Sequence, residues 1–309
     1  MTAKFANDGI AGCPDRMQPT LAWWHGWLPL LLLPAGVLWL VPADWPPWAC
    51  MWTLTVAIYA GFKWLTWRRT PAPDAPLWKH LAYLFAWPGM DAAAGLRSSN
   101  VIQTPSMREA MVAGGKFTLG LVLLFGGLRW VSGEIPPYLT GWLGMVGIVL
   151  TLHFGLFQLL SCGWRLLGMD ARPLMDRPLA STSVSDFWGR RWNTAFRDLT
   201  HRFLFRPLTA RLGPRGAIWA GFLFSGLIHD LVISLPAQGG YGGPTAFFVL
   251  QGAAMFLERS TPSRRLGLGR GWRGWLFTAC VLLGPAPALF HPPFVERVIL
   301  PFLKALGAM

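Results

Sequence analysis

Apolar residues in this chain gather into long runs separated by short polar or basic connections. Eight runs are apparent, at residues 24–41, 48–67, 111–131, 138–161, 217–235, 245–257, 272–290 and 294–306. A helix needs about 20 apolar residues to cross the hydrocarbon upright. The first five runs meet that length with some tilt, whereas 245–257 and 294–306 are short enough to be re-entrant or interfacial. A half-length run at 80–87, ending in Pro88-Gly89-Met90-Asp91, reads as a segment dipping into the membrane. The pattern predicts an all-α, polytopic transmembrane bundle of about eight spans with interfacial or re-entrant helices. It forms a single domain over 1–309.

One connection has a different period. From Asp186 to Phe205, Trp188, Trp192, Ala195, Phe196, Leu199 and Phe203 recur at helical spacing, with arginines on the other side. Ser183 and Asp186 form a capping box, and Pro207 marks the end. A basic, Trp-bearing helix of this kind is expected to lie in the plane of the interface. On this reading residues 162–214 are a basic loop carrying that helix, and 1–23 are an N-terminal cytoplasmic segment.

Composition supports the membrane reading. Charged residues make up 13% of the 309, and hydrophobic ones 53%, where a soluble domain carries about 25% charged. Many of the 19 tryptophans lie near run ends, as in interfacial aromatic belts. The net charge of +13 resides mainly in arginines between runs, which favours cytoplasmic loops over nucleic-acid binding. Lys63, Arg68, Arg69 and Lys79 follow the second run. Ten arginines from Arg165 to Arg215 fill the connection after the fourth, and Arg259, Arg264, Arg265, Arg270 and Arg273 follow the sixth. The intervening connections hold no Lys or Arg. This alternation places both termini and the three basic loops in the cytoplasm, with the protein in the inner or cell membrane. The first run lacks a convincing cleavage site and reads as a retained span. Cys13, Cys50, Cys162 and Cys280 form no ligand or disulfide spacing, so neither a metal nor a disulfide framework is expected.

The candidate chemistry lies where polar groups interrupt apolar sequence. His229 and Asp230 sit inside the fifth run, where an ionisable group costs roughly 2.5–3.5 kcal/mol even on lenient scales. Phe222, Ser225, Gly226, His229 and Ile233 share a helical face, and the two small residues suit either a close helix contact or a substrate cavity. Neutral imidazole is the usual base for activating a hydroxyl. A buried histidine bonded to a neighbouring helix is the equal alternative. Asp230 points about 100° away and is expected to pair with an arginine or line another wall. In DFWGRRWN, Asp186, Arg190 and Asn193 stack at i, i+4, i+7 on one stripe. Arginine there could clamp phosphate and the amide could orient a carbonyl; a solvated basic face is the bland reading. His153 and Lys116 are weaker candidates, satisfied by helix contacts or snorkelling. No GxSxG elbow, P-loop, HExxH or flanked GxGxxG occurs.

DFWGRRWN at 186–193, followed by SGLIHD at 225–230 and preceded by YLFAWPGMD at 83–91, resembles the wax-synthase branch of the membrane-bound O-acyltransferases. The resemblance implies a helical membrane fold with an internal reaction chamber. It implies a catalytic histidine matching His229 and a second functional residue matching Asn193. It further implies transfer of a fatty acyl group from acyl-CoA, as co-substrate without a cofactor, to a long-chain alcohol. Arg190, Arg191 and Arg197 would then hold the CoA phosphates, while Asp186, Trp192, Ser225 and Asp230 would shape the substrate site. Other acceptors remain open: a glycerolipid, sterol, polyketide or sugar hydroxyl. A proton-coupled transporter using His229 and Asp230 is a different class, disfavoured by the lack of an inverted repeat. A non-catalytic membrane scaffold is a third reading.

Overall fold

The computed structural model describes residues 26–42, 44–72, 74–97 and 102–309. The expected cytoplasmic segment 1–23, Cys13 and the start of the first run lie outside them. Among the described residues there is no β-strand, and each of the eight apolar runs contributes a helix. These are α1 (Leu28–Leu40), α2 (Pro47–Arg68), α3 (Met107–Val131), α4 (Pro137–Leu166), α5 (Thr194–Ala237), α6 (Gly243–Glu258), α7 (Gly271–Leu289) and α8 (Pro292–Ala305). The all-α reading holds.

Among the described residues, fewer than eight helices are by themselves long and apolar enough to cross a membrane. Three helices, α3, α4 and α5, are long and apolar enough to cross a membrane, and a fourth span arises if α7 and α8, bent by 64°, act together. The reason is length and polarity. α1 has 13 residues, about 20 Å at 1.5 Å per residue. α6 has 16 and carries buried Gln251 and Glu258. Several basic residues assigned to loops are also inside the fold. Lys63 belongs to α2, is 2% exposed, donates to the Gly89 carbonyl at 2.5 Å and lies 3.5 Å from the Tyr83 ring centroid. Lys79 is buried, and Arg165 is buried at the end of α4 against Glu109. Outward-facing Trp39, Trp130, Phe85 and Leu283 leave the apolar exterior of a membrane-associated protein.

The largest departure from expectation is the course of α5. The helix entering at Thr194 does not end at Pro207 but runs on to Gly213, whose φ of 68° and ψ of 172° break it. The chain then reverses. The rings of Phe196 and Phe224 stack at 6.3 Å, although a straight helix would hold those positions about 42 Å apart. α5 is therefore a helical hairpin, with residues 194–212 packed along 214–237. This fold-back buries Ala195 and Leu199 in a cluster with Leu54, Tyr83, Trp87 and Met169. The apolar stripe expected to face lipid faces protein instead.

The φ/ψ pair at Gly213 is accessible essentially to glycine alone, and a side chain there costs on the order of 1–3 kcal/mol. Gly213→Ala is expected to lower the thermal unfolding midpoint of the detergent-solubilised protein by several degrees. Gly221→Ala, in open space on the second arm, should leave it unchanged or raise it. Equal midpoints for both variants would show that the reversal does not depend on Gly213.

Candidate active site

The segment before α5 builds one wall. Ser183 caps a short helix by accepting the Asp186 N–H at 2.9 Å, as the capping box predicts. The helix widens into a π turn over Phe187–Arg191 and stops at extended Trp192. Asn193 then adopts a left-handed conformation, φ 42°, and caps α5 with its side-chain oxygen on the Phe196 N–H at 3.2 Å. Asp186, Arg190 and Asn193 thus do not form one continuous stripe, because the helix breaks between the second and third. What the break gains is specificity of contact. The Asn193 Oδ1 is committed to the cap, and its amide nitrogen makes no hydrogen bond among the described residues.

Asp186 is buried and holds both neighbouring arginines, Arg190 at 2.8 Å and Arg191. Arg191 also donates to the carbonyls of Asp176 and Arg177 and keeps only 22% of its side chain exposed. Arg197 pairs with Asp198 at 2.6 Å and reaches the Gly189 carbonyl. The three arginines are therefore unequal: Arg190, 77% exposed, keeps free donors facing outward, while Arg191 is part of the framework.

His229 lies on the second arm of α5. Its Nδ1 is 2.7 Å from the Ser225 carbonyl. A carbonyl only accepts, so Nδ1 carries the proton and Nε2 keeps the lone pair of the neutral ring. Phe248 of α6 packs 4.5 Å from the imidazole centroid. Gly226 resolves the choice between contact and cavity, because a β-carbon there would lie 2.6 Å from the Thr245 Cα. The small residue serves the close α5–α6 crossing. Ser225 is buried and returns its hydroxyl to the Gly221 carbonyl. Among the described residues Asp230 pairs with no arginine. It accepts from the backbone N–H of Gly242 at 2.8 Å and of Thr245 at 3.1 Å, and from the hydroxyls of Thr245 and Ser234, fastening the start of α6.

His229 and Asn193 are not in direct contact. An aromatic run joins their surroundings: Trp192 stacks on Phe187, Phe187 meets Trp188, Trp188 packs on Phe248, and Phe248 on His229. Trp192 also stacks on His153, whose buried Nδ1 has no hydrogen-bond partner among the described residues. Lys116 lies over Phe154, whose ring meets Trp192 edge-on, so it borders the Trp192 end of this run and not the His229 end. Among the described residues no cluster of His, Cys, Asp or Glu has metal-binding geometry.

A cavity of about 280 Å³ opens beside the wall. One side is the Trp87–Asp91 turn; the other carries Asp170, Arg172, Arg190, Thr194, Arg197 and Asp198. Two of the three sequence blocks therefore meet there, fastened by Lys63 on Gly89 and by Tyr59 and Trp164 on the Trp87 and Ala86 carbonyls. Sequence reasoning missed Asp170, Arg172 and Phe248, which bear no local signal. Lys63, a lone cation in an apolar run, did bear one.

Comparison with known proteins agrees with the resemblance. Residues 171–250 match the model of the Membrane bound O-acyl transferase family, a stretch holding both DFWGRRWN and SGLIHD. The chain is 34% identical over 143 residues to a long-chain-alcohol O-fatty-acyltransferase of Simmondsia chinensis, covering 42% of this chain and 40% of that protein. It is 30% identical over 138 residues to probable long-chain-alcohol O-fatty-acyltransferase 8 of Arabidopsis thaliana, covering 42% and 41%. Probable long-chain-alcohol O-fatty-acyltransferase 1 of the same plant is 37% identical over 102 residues, 30% of each chain. The matches span about two-fifths or less of these relatives.

Proposed function

We propose that this chain, whose residues 171–250 match the Membrane bound O-acyl transferase family, transfers a fatty acyl group from acyl-CoA to a long-chain alcohol. The single observation that carries the chemistry is His229: a proton-bearing Nδ1 held by a carbonyl, with Nε2 left as a base inside an apolar helix. Nε2 takes the alcohol proton as the oxygen attacks the thioester carbonyl. The Asn193 amide donates to the oxygen on which charge develops, and the thiolate leaves with the proton. A thioester is already activated, so no covalent enzyme intermediate is needed. Both greasy substrates would enter from the bilayer.

The cavity between the Trp87–Asp91 turn and the Arg190 wall suits the polar head of the donor. Its arginines are each paired with a carboxylate, so phosphate must use the donors left over. That assigns the contact to the two most open guanidiniums, Arg190 and Arg172, 77% and 76% exposed. In this reading the basic connections, and with them the acyl-CoA site, face the cytoplasm.

The test is incubation of purified protein with labelled acyl-CoA and a panel of alcohols, glycerolipids and sterols. Ester formed with long-chain alcohols supports the reading, and no ester with any acceptor overturns it. In the same assay Arg172→Gln and Arg190→Gln are expected to raise the apparent KM for acyl-CoA about fivefold each, with the alcohol KM unchanged. A rise in alcohol KM alone would assign these arginines elsewhere.

A further inference from the structure

A second cavity lies away from the site above, between α6 and α7. It has a volume of about 350 Å³ and is lined by Arg264, Gly267, Arg270, Gly271, Trp272 and Arg273. Its charge differs in kind from that of the first cavity. Three guanidiniums line it and no carboxylate does, and none of the three forms an ion pair among the described residues. Residues 259–273 contain five arginines and no acid. The three arginines are exposed, and a group of like charges around one hollow raises the local concentration of anions there.

The backbone contributes as well. Gly267, Gly269 and Gly271 all have positive φ, 77°, 95° and 56°, which curls the chain around the hollow. α7 begins at Gly271, and its N-cap Arg270 makes no side-chain capping bond. The first-turn N–H groups have no intrahelical acceptor and add their partial positive charge at the same place. The loop is also firmly held. Glu258 accepts the N–H groups of Val184 at 2.7 Å and Ser185 at 2.9 Å, Arg259 donates to the Ser185 hydroxyl, and Trp275 to the Leu179 carbonyl. A basic linker that served only solubility would need no such anchoring.

We propose that this cavity binds a phosphate group, with Arg264, Arg270 and Arg273 as its charged donors. Guanidinium pairs phosphate through two parallel hydrogen bonds, and the uncapped helix start beside them adds backbone N–H donors. Arg273, which lies over the Trp272 ring and reaches the Leu266 carbonyl at 3.5 Å, keeps donors to spare. The phosphate comes either from an anionic membrane lipid or from a soluble phosphate ester. Exposed Trp272 and Leu266 at the rim fit the first source, and the absence of a carboxylate fits both. The site does not rest on acyl transfer.

The test measures binding, using the full chain in nanodiscs. In phosphatidylcholine nanodiscs, inorganic pyrophosphate is expected to bind the wild-type protein and to bind more weakly as salt rises. The triple variant Arg264→Gln, Arg270→Gln, Arg273→Gln should lose at least tenfold in affinity, and the matching triple lysine variant should lose less. In nanodiscs containing phosphatidylglycerol, native mass spectrometry reads the lipid source. Phosphatidylglycerol retained by wild type, displaced by pyrophosphate and lost in the glutamine variant identifies a lipid headgroup. Pyrophosphate binding without lipid retention identifies a soluble ester. Should the triple variant fail to fold, Arg270→Gln alone is expected to cost about threefold. Neither ligand binding to wild type, or undiminished affinity in the folded glutamine variant or in Arg270→Gln, overturns the proposal.

Discussion

His229→Ala is expected to remove at least a hundredfold of acyl transfer while leaving the protein folded and membrane-inserted. General-base catalysis by a positioned side chain contributes typically 10²–10⁴ in rate. The imidazole here is oriented for it, with Nδ1 on the Ser225 carbonyl and no partner for Nε2 among the described residues. Stability should change little. The lost hydrogen bond is to the residue one turn back on the same helix, worth about 0.5–1.5 kcal/mol net. The α5–α6 crossing is held separately by Gly226 against Thr245 and by Asp230 on Gly242 and Thr245. The measurement is turnover of labelled acyl-CoA with a long-chain alcohol, alongside a thermal midpoint. Turnover within a few-fold of wild type, from a protein with an unshifted midpoint, would leave His229 as a packing residue against Phe248. Asp230→Asn serves as the contrast. It should lower the midpoint, because Asp230 fastens α6, and reduce activity only as far as folding falls.

The second large effect concerns Asn193, where the structure allows two roles to be separated atom by atom. Its oxygen caps α5, and its backbone sits at positive φ, which asparagine and aspartate tolerate better than most residues. Asn193→Ala removes the cap, at a cost of about 0.5–2 kcal/mol, and removes the amide N–H donors as well. Asn193→Asp keeps the capping oxygen and the backbone tolerance but loses the donors. If the donors stabilise the oxyanion, both variants fall about 10²–10³-fold in kcat, and only the alanine variant loses stability. An aspartate variant with wild-type kcat would reduce Asn193 to a helix cap.

Much of the architecture was legible in the order of residues. Each of the eight apolar runs yields a helix because helix formation depends on local hydrogen bonds and on burying apolar side chains from water, and both are written in consecutive residues. The Ser183 cap was readable for the same reason, as a contact over three positions. So were His229, an ionisable group inside an apolar run, and DFWGRRWN, a dense polar block opening the amphipathic helix of the basic connection. The all-α class and the resemblance to a family followed from such local signals.

Other features depend on residues far apart in the chain, and only the tertiary structure decided them. The reversal at Gly213 converts an expected interfacial helix into one arm of a packed hairpin, and no periodicity on either side announces it. That reversal puts Phe196 on Phe224 and turns the apolar stripe inward. Which arginine is available to a substrate is likewise non-local. Arg190 and Arg191 are adjacent and share Asp186, yet one faces out and the other is locked by the carbonyls of Asp176 and Arg177. Lys63 and Arg165 looked like loop charges and are buried, because the groups that accept them, the Gly89 carbonyl and Glu109, come from elsewhere in the chain; Lys79 is buried as well. Local sequence determined which segments are helical and where polar chemistry interrupts them. Burial, charge pairing and the direction in which a helix turns back are properties of neighbours, and those neighbours exist only after folding.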